Sequence, residues 1–363
     1  MNNQSVKENP WLTPILICMS LILAALILSR IFFPPPATEL GAPVQMPCTA
    51  NQNISILKNG VIYSDGTTIR ALNEKGRQIW SHVVGANCGY NVGEGGVTGW
   101  DAGSIELIDA GTGQSVYSIN EPNKKILSAY AGTRFTAVLT GSEHDSELML
   151  IDRSGQKIET IPFSNQMVLD YGFFNSGNML WVMALDTNST VPTSYITTYK
   201  PGRTQAGSVS DSEQVIYNTL FKTNSLYAIG TTYMKMYDYT GVEDITKRRL
   251  IYGWYLYDKE EASTLLAFVP MAETDIKVSI NDVRIITETQ DRIVRFPYTC
   301  FDLEVHNNCV YGISENYIMC YPANADSAQV YELPFECDSF IGITDDGCAV
   351  VTGNDGVYKL KLP

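Results

Sequence analysis

The chain has 363 residues, with 25 Lys+Arg against 39 Asp+Glu for a formal net charge of -14, and 45% of its residues are apolar while 18% are charged. That balance supplies a core and excludes both a disordered polymer and a basic nucleic-acid binder. Length alone suggests two domains at about 150 residues each, but closed all-β rings run longer as one unit, so the pattern along the chain has to decide.

From Trp11 to Phe33 the sequence reads WLTPILICMSLILAALILSRIFF, in which Arg30 is the sole charge. About 20 apolar residues span the roughly 30 Å hydrocarbon layer of a bilayer as a helix, so residues 11–33 are expected to form a transmembrane signal-anchor helix. Pro14 falls in its first turn, and Pro34, Pro35 and Pro36 end it and open a Pro-rich spacer over 34–43. A cleaved signal peptide is the alternative, since small residues such as Ala37 follow. Against it, Arg-Ile-Phe-Phe lacks the small-x-small pattern of a cleavage site, and Ile17 is too bulky to make Cys18 a lipoprotein cysteine. Lys7 and Arg30 flank the span on opposite sides, so charge bias barely sets orientation. All but two of the basic and all but one of the acidic residues follow Pro36. The expected arrangement is a single-pass protein of the cell membrane, with a short cytoplasmic N-terminus over 1–10 and an extracytoplasmic domain over 44–363.

Beyond the spacer the period changes. Residues 54–83 break into short apolar strands separated by Lys-Asn-Gly, Ser-Asp-Gly and Glu-Lys-Gly turns, the pattern of one antiparallel four-stranded unit. A strand ending in a small polar turn recurs at TIRALNEKG (from 68), SIELIDAGTG (104), ELMLIDRSG (147), YITTYKPG (195), YMKMYDYTG (233), YIMCYPANA (317) and VYKLKLP (357), with a degenerate copy near 276–295. A repeat of about 41 residues without helical periodicity fits the blades of a β-propeller. The expected fold is therefore all-β, a closed propeller of four-stranded antiparallel blades, eight in number with seven as the alternative. The last unit offers three strands, near 339–344, 348–352 and 357–361, so the segment around 43–48 is expected to add the fourth and close the ring.

Seven cysteines lie beyond the apolar span. The segment holding Cys300 and Cys309 aligns with the one holding Cys337 and Cys348, and Cys309 and Cys320 flank a hairpin turn at 314–316, which makes them cross-strand neighbours and a possible disulfide. Buried free thiols are the alternative. No CxxC pair suggests zinc, and His82, His144 and His306 are scattered over different units, so no metal site is expected. The acidic turns at 143–145 and 345–347 lack the spacing of a calcium loop. Ser55 and Lys58 have Ser-x-x-Lys spacing but fall in a strand leading to a turn, and Gly93, Gly95, Gly96 and Gly99 form no phosphate loop, so no catalytic residue is assigned. Lys247, Arg248 and Arg249 form the compact basic run of an acidic chain, and Tyr252, Trp254, Tyr255 and Tyr257 follow it, which makes these residues a candidate binding surface for a protein or a glycan.

The stretch Ala71 to Trp80, with Asn73, Gly76 and the terminal Trp, resembles the repeat of quinoprotein-like (PQQ-like) β-propellers. The copy at 107–119 keeps Asp109, Gly111 and Gly113, with Tyr117 in place of Trp. With its anchor, the chain is similar to single-pass, propeller-bearing envelope proteins of Firmicutes. The enzymatic branch of the family holds pyrroloquinoline quinone with calcium; this sequence lacks an adjacent cysteine pair and a ligand set, so no cofactor is expected. The resemblance implies a non-enzymatic, membrane-tethered scaffold or adaptor of the bacterial cell envelope that binds an envelope or membrane protein through propeller loops and faces. An extracytoplasmic carbohydrate-binding or sensory module is the first alternative, and a quinoprotein-type enzyme the second.

Overall fold

The structure, a computed structural model, describes Met19 and residues 37–142, 145–188, 190–203, 205–222, 225–260, 263–271, 279–354 and 356–362. The span expected over 11–33 lies outside the described residues apart from Met19, as does His144. Among the described residues no helix is long and apolar enough to cross a membrane.

Two short strands come first, β1 (Thr38–Glu39) and β2 (Val44–Met46). Blade 1 is β3 (Asn53–Leu57), β4 (Gly60–Ser64), β5 (Thr68–Leu72) and β6 (Gln78–Val83). Blade 2 is β7 (Gly89–Gly93), β8 (Gly96–Trp100), β9 (Ser104–Ile108) and β10 (Ser115–Asn120). Blade 3 is β11 (Ile126–Ala131), β12 (Phe135–Gly141), β13 (Asp145–Asp152) and β14 (Lys157–Ser164). Blade 4 is β15 (Met167–Phe174), β16 (Met179–Asp186), β17 (Thr193–Tyr199) and β18 (Gln205–Asp211). Blade 5 is β19 (Ile216–Lys222), β20 (Ser225–Gly230), β21 (Tyr233–Asp238) and β22 (Arg249–Leu250), with a 3-10 turn at Ile245–Lys247 before β22. Blade 6 is β23 (Trp254–Glu260), β24 (Leu265–Pro270), β25 (Ile280–Ile286) and β26 (Asp291–Cys300). Blade 7 is β27 (Asp302–His306), β28 (Cys309–Ile313), β29 (Tyr317–Pro322) and β30 (Gln329–Glu332). Blade 8 is β31 (Ser339–Ile343), β32 (Cys348–Gly353) and β33 (Gly356–Lys361), completed by β2.

The ring has eight blades rather than seven, and the third strand of each is one of the eight sequence repeats; β25 is the degenerate copy. First strands of neighbouring blades touch one another, as β23 does β27, β27 does β31 and β31 does β3, so they surround a central channel. Closure joins distant parts of the chain: Val44 pairs with Lys359 and Met46 with Val357, and Lys359 Nζ donates to the Asn59 carbonyl of blade 1 at 2.5 Å. The expected spacer is itself part of the ring over Thr38–Glu39, because β1 adds a parallel strand to the edge β30, opposite Tyr331 and Glu332.

Burial explains the sequence pattern. Second strands are covered by a neighbouring blade on both faces, so they read as continuous apolar runs: β4, β12, β16 and β32 are buried along nearly their whole length. Outer strands meet solvent on one face and alternate, as in β18. Eight apolar clusters fill the eight seams, for example Ile62, Trp80, Tyr90 and Ile108 between blades 1 and 2.

The repeated turn has a local cause. At the end of the third strand an Asn or Asp side chain accepts from the backbone of the turn: Asn73 from Lys75 and Arg77, Asp109 from Gly111 and Thr112, Asp152 from Ser154 and Gln156. These bonds hold the Asp109 and Asp152 carboxyls below the ordinary carboxylate range, hydroxyl donation from Thr112 and Ser154 being the foremost cause. Each turn closes on a glycine at positive φ, with Gly113 at 70° and Gly155 at 85°. The glycines also face the preceding blade. A Cβ on Gly113 would stand 2.6 Å from the Trp80 indole, one on Gly155 3.0 Å from Tyr117, and one on Gly76 3.3 Å from Met46 Sδ. Outer-strand side chains thus sit on the turn of the next blade, and Trp80 Nε1 donates to the Ala110 carbonyl there at 3.0 Å.

Candidate functional site between blades 5 and 6

Where blades 1 to 3 close their outer hairpins tightly, blade 5 extends its own from Asp238 to Arg249. Asp238 starts the same turn, accepting from Thr240 and Val242, and its carboxyl is held below the ordinary range by the Thr240 hydroxyl first. The chain then bridges back, with Glu243 against Tyr237, and Asp244 caps the 3-10 turn by accepting from Thr246. This excursion and the residues directly after it leave Val242 (66%), Ile245 (72%), Leu250 (58%) and Tyr252 (75%) exposed. Scattered exposed apolar residues are ordinary, but four large ones on one braced connection mark a surface suited to contact.

The basic run splits three ways. Arg248 makes a two-point pair with Glu243, at 2.9 and 3.0 Å, and its guanidinium lies 5.5 Å over the Tyr233 ring, so it is structural rather than available. It also approaches Glu213, which pairs with the buried Lys235 held by Asp211 at 2.8 Å. Arg249 reaches across the seam to the carbonyls of Gln290 and Glu288, both at 3.4 Å, and stands 4.0 Å from Asp291. Asp291 is itself clamped by Arg284 at 2.8 and 2.9 Å. Lys247 is exposed and flanks, with Arg249, a cavity of about 270 Å³. Met234, Leu266 and Ile286 form the apolar part of that cavity, and Ser225, Tyr227, Thr264 and Glu288 also line it. Glu288 is paired with Lys222, which holds its carboxyl below the ordinary range.

The aromatic residues do not form one platform. Tyr252 is on the rim, while Trp254 packs into the apolar seam of blades 5 and 6. Tyr255 and Tyr257 belong to the innermost strand: Tyr255 stacks on Tyr217 at 4.9 Å and 10°, and the Tyr257 hydroxyl donates to Asp302 at 2.7 Å. Tyr257 lines a channel recess of about 410 Å³ with Asp258, Lys259, Asp302 and Glu304. The acids join neighbouring blades: Asp258 accepts from Val305 N at 2.6 Å and Glu304 from Ile343 N at 2.9 Å. Burial raises the proton affinity of Asp258 and Asp302 and pushes Glu304 up to about 7, reinforced there by the two Asp charges.

The seven described cysteines are thiols. Cys300 and Cys337 enter the seams between blades 6 and 7 and between blades 7 and 8, and Cys309 and Cys348 open the second strands of blades 7 and 8, the repeat read from the sequence. Cys309 pairs opposite Pro322 and Cys320 opposite Tyr311, so the two cysteines are diagonal neighbours. Interaction between the two thiols lowers the Cys309 pKa and raises that of Cys320. Ser55 lies in β3 and Lys58 in the following turn, at φ 54°. His82 bonds Glu106 at 2.8 Å, and Asp346 pairs with the buried Lys359 at 3.1 Å. Among the described residues no group of three or more His, Cys, Asp or Glu could hold a metal.

Sequence reasoning missed Val242, Ile245 and Leu250 and the cavity lining. The long interval between the repeats at 233 and 317, which holds the extended hairpin of blade 5, was their one visible trace.

No protein-family model and no curated protein matches the chain. Among solved structures 687 chains match, a breadth that makes the fold uninformative about activity. One is described as the crystal structure of the eukaryotic initiation factor, with 13% identity, a TM-score of 0.51, and coverage of 89% of this chain and 87% of that one. At that identity the likeness establishes what the strand order also gives, an all-β propeller of eight four-stranded blades.

Proposed function

We propose that this chain is a non-enzymatic scaffold or adaptor of the bacterial cell envelope, anchored in the cell membrane through residues 11–33 and binding a protein partner through its propeller rim. The observation that carries the reading is the braced connection with Val242, Ile245, Leu250 and Tyr252 exposed beside the Glu243–Arg248 pair. Apolar side chains on a framework already fixed by Asp238 and Asp244 lose little freedom on binding. Tethering adds to this by raising the effective concentration near other membrane proteins. Strand β1 supports the tether, since it brings the chain in along the rim of blade 7.

Kinship with quinoprotein-like propellers draws support from Trp80 and Tyr117 seated on the Gly113 and Gly155 turns. The cofactor of that family does not fit the channel recess. Pyrroloquinoline quinone carries three carboxylates, whereas the recess presents Asp258, Asp302 and Glu304, which among the described residues form no group able to hold the calcium that would offset the repulsion, and its Lys259 is bound to Asn218 and the Thr219 carbonyl. A carbohydrate-binding role is favoured by one feature, Tyr255 stacked on Tyr217 while 48% exposed; binding at background level across a glycan array would dispose of it.

The adaptor reading is tested by cross-linking the full-length protein in native cells and identifying what is captured. One reproducible envelope protein should appear with the wild type and vanish with Leu250→Asp plus Tyr252→Asp. Capture that survives both substitutions refutes this surface. Protease added to cells stripped of their wall should digest the ring; protection until the membrane is opened reverses the orientation. Outside the cell an oxidant would convert the neighbouring Cys309 and Cys320 thiols to a disulfide, detected as protection from alkylation until a reductant is added. Equal alkylation of both without reductant argues against it.

A further inference from the structure

We propose that the cavity between blades 5 and 6 captures the C-terminal residue of a partner protein, taking its carboxylate on Lys247 and Arg249 and its apolar side chain on Met234, Leu266 and Ile286. This rests on the adaptor reading for the presence of a protein partner, but the cavity chemistry is independent of it. Three observations converge. The cavity has an apolar floor of nearly buried Met234, Leu266 and Ile286, and the half-buried Met236 and Tyr227 supply apolar surface beside it. The cations at the mouth are undersatisfied: Lys247 forms no ion pair among the described residues, and the Arg249 contacts at 3.4 to 4.0 Å are long for charge-assisted bonds. Both acids beside them already have a cation, Glu288 on Lys222 and Asp291 on Arg284, so the mouth is locally positive in a chain of net charge -14.

The size selects the ligand. At about 270 Å³ the cavity lies just under the range of small-molecule and cofactor sites and holds one large side chain. A terminal residue presents a carboxylate and an apolar side chain from one Cα, matching two cations beside one apolar recess. An internal Asp or Glu carries its charge where the recess needs hydrocarbon. Tyr227, Ser225 and Thr287 line the same opening and offer hydroxyls to the last peptide groups, and the flexible thioether of Met236 accommodates different side chains.

The test uses purified full-length protein in detergent and fluorescein-labelled pentapeptides of neutral sequence ending in Leu or Phe, each as free acid and as amide. Free acids should bind with affinity in the micromolar range. Amidation, Lys247→Ala or Arg249→Ala should each weaken binding about tenfold or more, the loss expected for one charge-assisted contact, and Lys247→Ala, which breaks no ion pair among the described residues, should do so with an unchanged melting temperature. Equal binding of acid and amide, indifference to both substitutions, or no binding up to about 1 mM overturns the proposal. Competition by hexanoate as strong as by the peptide reassigns the cavity to free carboxylic acids and also overturns it. Failure here with cross-linked capture still dependent on Leu250 and Tyr252 defeats the cavity alone. Loss of that capture with peptide binding intact defeats the adaptor surface instead.

Discussion

At the rim of blades 1 and 2 an indole rests on a glycine turn; at the rim of blades 5 and 6 a guanidinium reaches over a turn without glycine. The two arrangements solve one problem, holding the hairpin of each blade to its predecessor. In the first, Trp80 presses on Gly113 and donates to Ala110, and no room remains for a Cβ on that glycine. In the second, Arg249 spans the seam to the Glu288 and Gln290 carbonyls, and a cavity opens beside it. Blade 6 repeats the polar solution, with Arg292 donating to the Ala323 carbonyl of blade 7 at 2.5 Å. Apolar docking yields stability from close packing; arginine docking leaves charge and volume that a ligand can use.

The largest expected effect comes from breaking the packed seam. Trp80→Ala removes a side chain that is 6% exposed and leaves the Ala110 carbonyl without its donor. It should cost about 3–5 kcal/mol, seen as a lower denaturant midpoint. A loss under about 1 kcal/mol would mean that the seam relaxes around the gap. A glycine pair then sharpens the comparison. Gly113→Ala adds a methyl against the indole at φ 70°, while Gly253→Ala, at φ 83° next to Tyr252, meets nothing within 4 Å. Both pay for the backbone, about 1 kcal/mol, and Gly113→Ala should cost a further 1–3 kcal/mol from crowding. Equal melting temperatures for the two variants would show that the Trp80 contact is soft.

Between the rim and the channel the comparison becomes one of pH. Apolar seams do not titrate, whereas Glu304 bridges blades 7 and 8 with a carboxyl pushed from 4.5 to about 7. Its pKa is higher folded than unfolded, so the native state holds the extra proton and stability falls as pH rises from about 4.5 to about 7. Asp258 and Asp302 act in the same direction. Glu304→Gln keeps an acceptor for Ile343 N and should flatten that slope, gaining on the order of 1–3 kcal/mol at pH 8. Unfolding midpoints measured from pH 4 to pH 8 check it; an unchanged slope places the titration elsewhere.

Much of this architecture was legible because its cause is local. An Asx acceptor, a positive-φ glycine and a following strand recur in order, so Asn73, Asp109 and Asp152 announce their blades in the sequence. The closing strand was legible because blade 8 lacked a partner that Val44 to Met46 supplies. The blade 5–6 site was half legible: Lys247 and Arg249 stood out as a charge run, but their separation from Arg248 depends on Glu243 and Asp291, which the fold brings in from the blade 5 hairpin and from blade 6. Nor does spacing along the chain show that Tyr252 is on the rim while Tyr257, five residues on, is in the channel; the turn into β23 decides that.

The smallest expected effect on stability falls on the proposed docking surface. Leu250 and Tyr252 are mostly in water, so replacing both by Ser should change stability by no more than about 0.5 kcal/mol each. The hydrogen bond that the Arg284 guanidinium donates to the Leu250 carbonyl survives that change, as does the pairing of Leu250 with Tyr233. A destabilisation above about 2 kcal/mol for the pair would mean that the two side chains hold the blade 5 excursion in place, and their exposure would then argue for no partner. Neutrality joined to loss of cross-linked capture separates the two kinds of seam: one kept for the integrity of the ring, the other for what the ring binds.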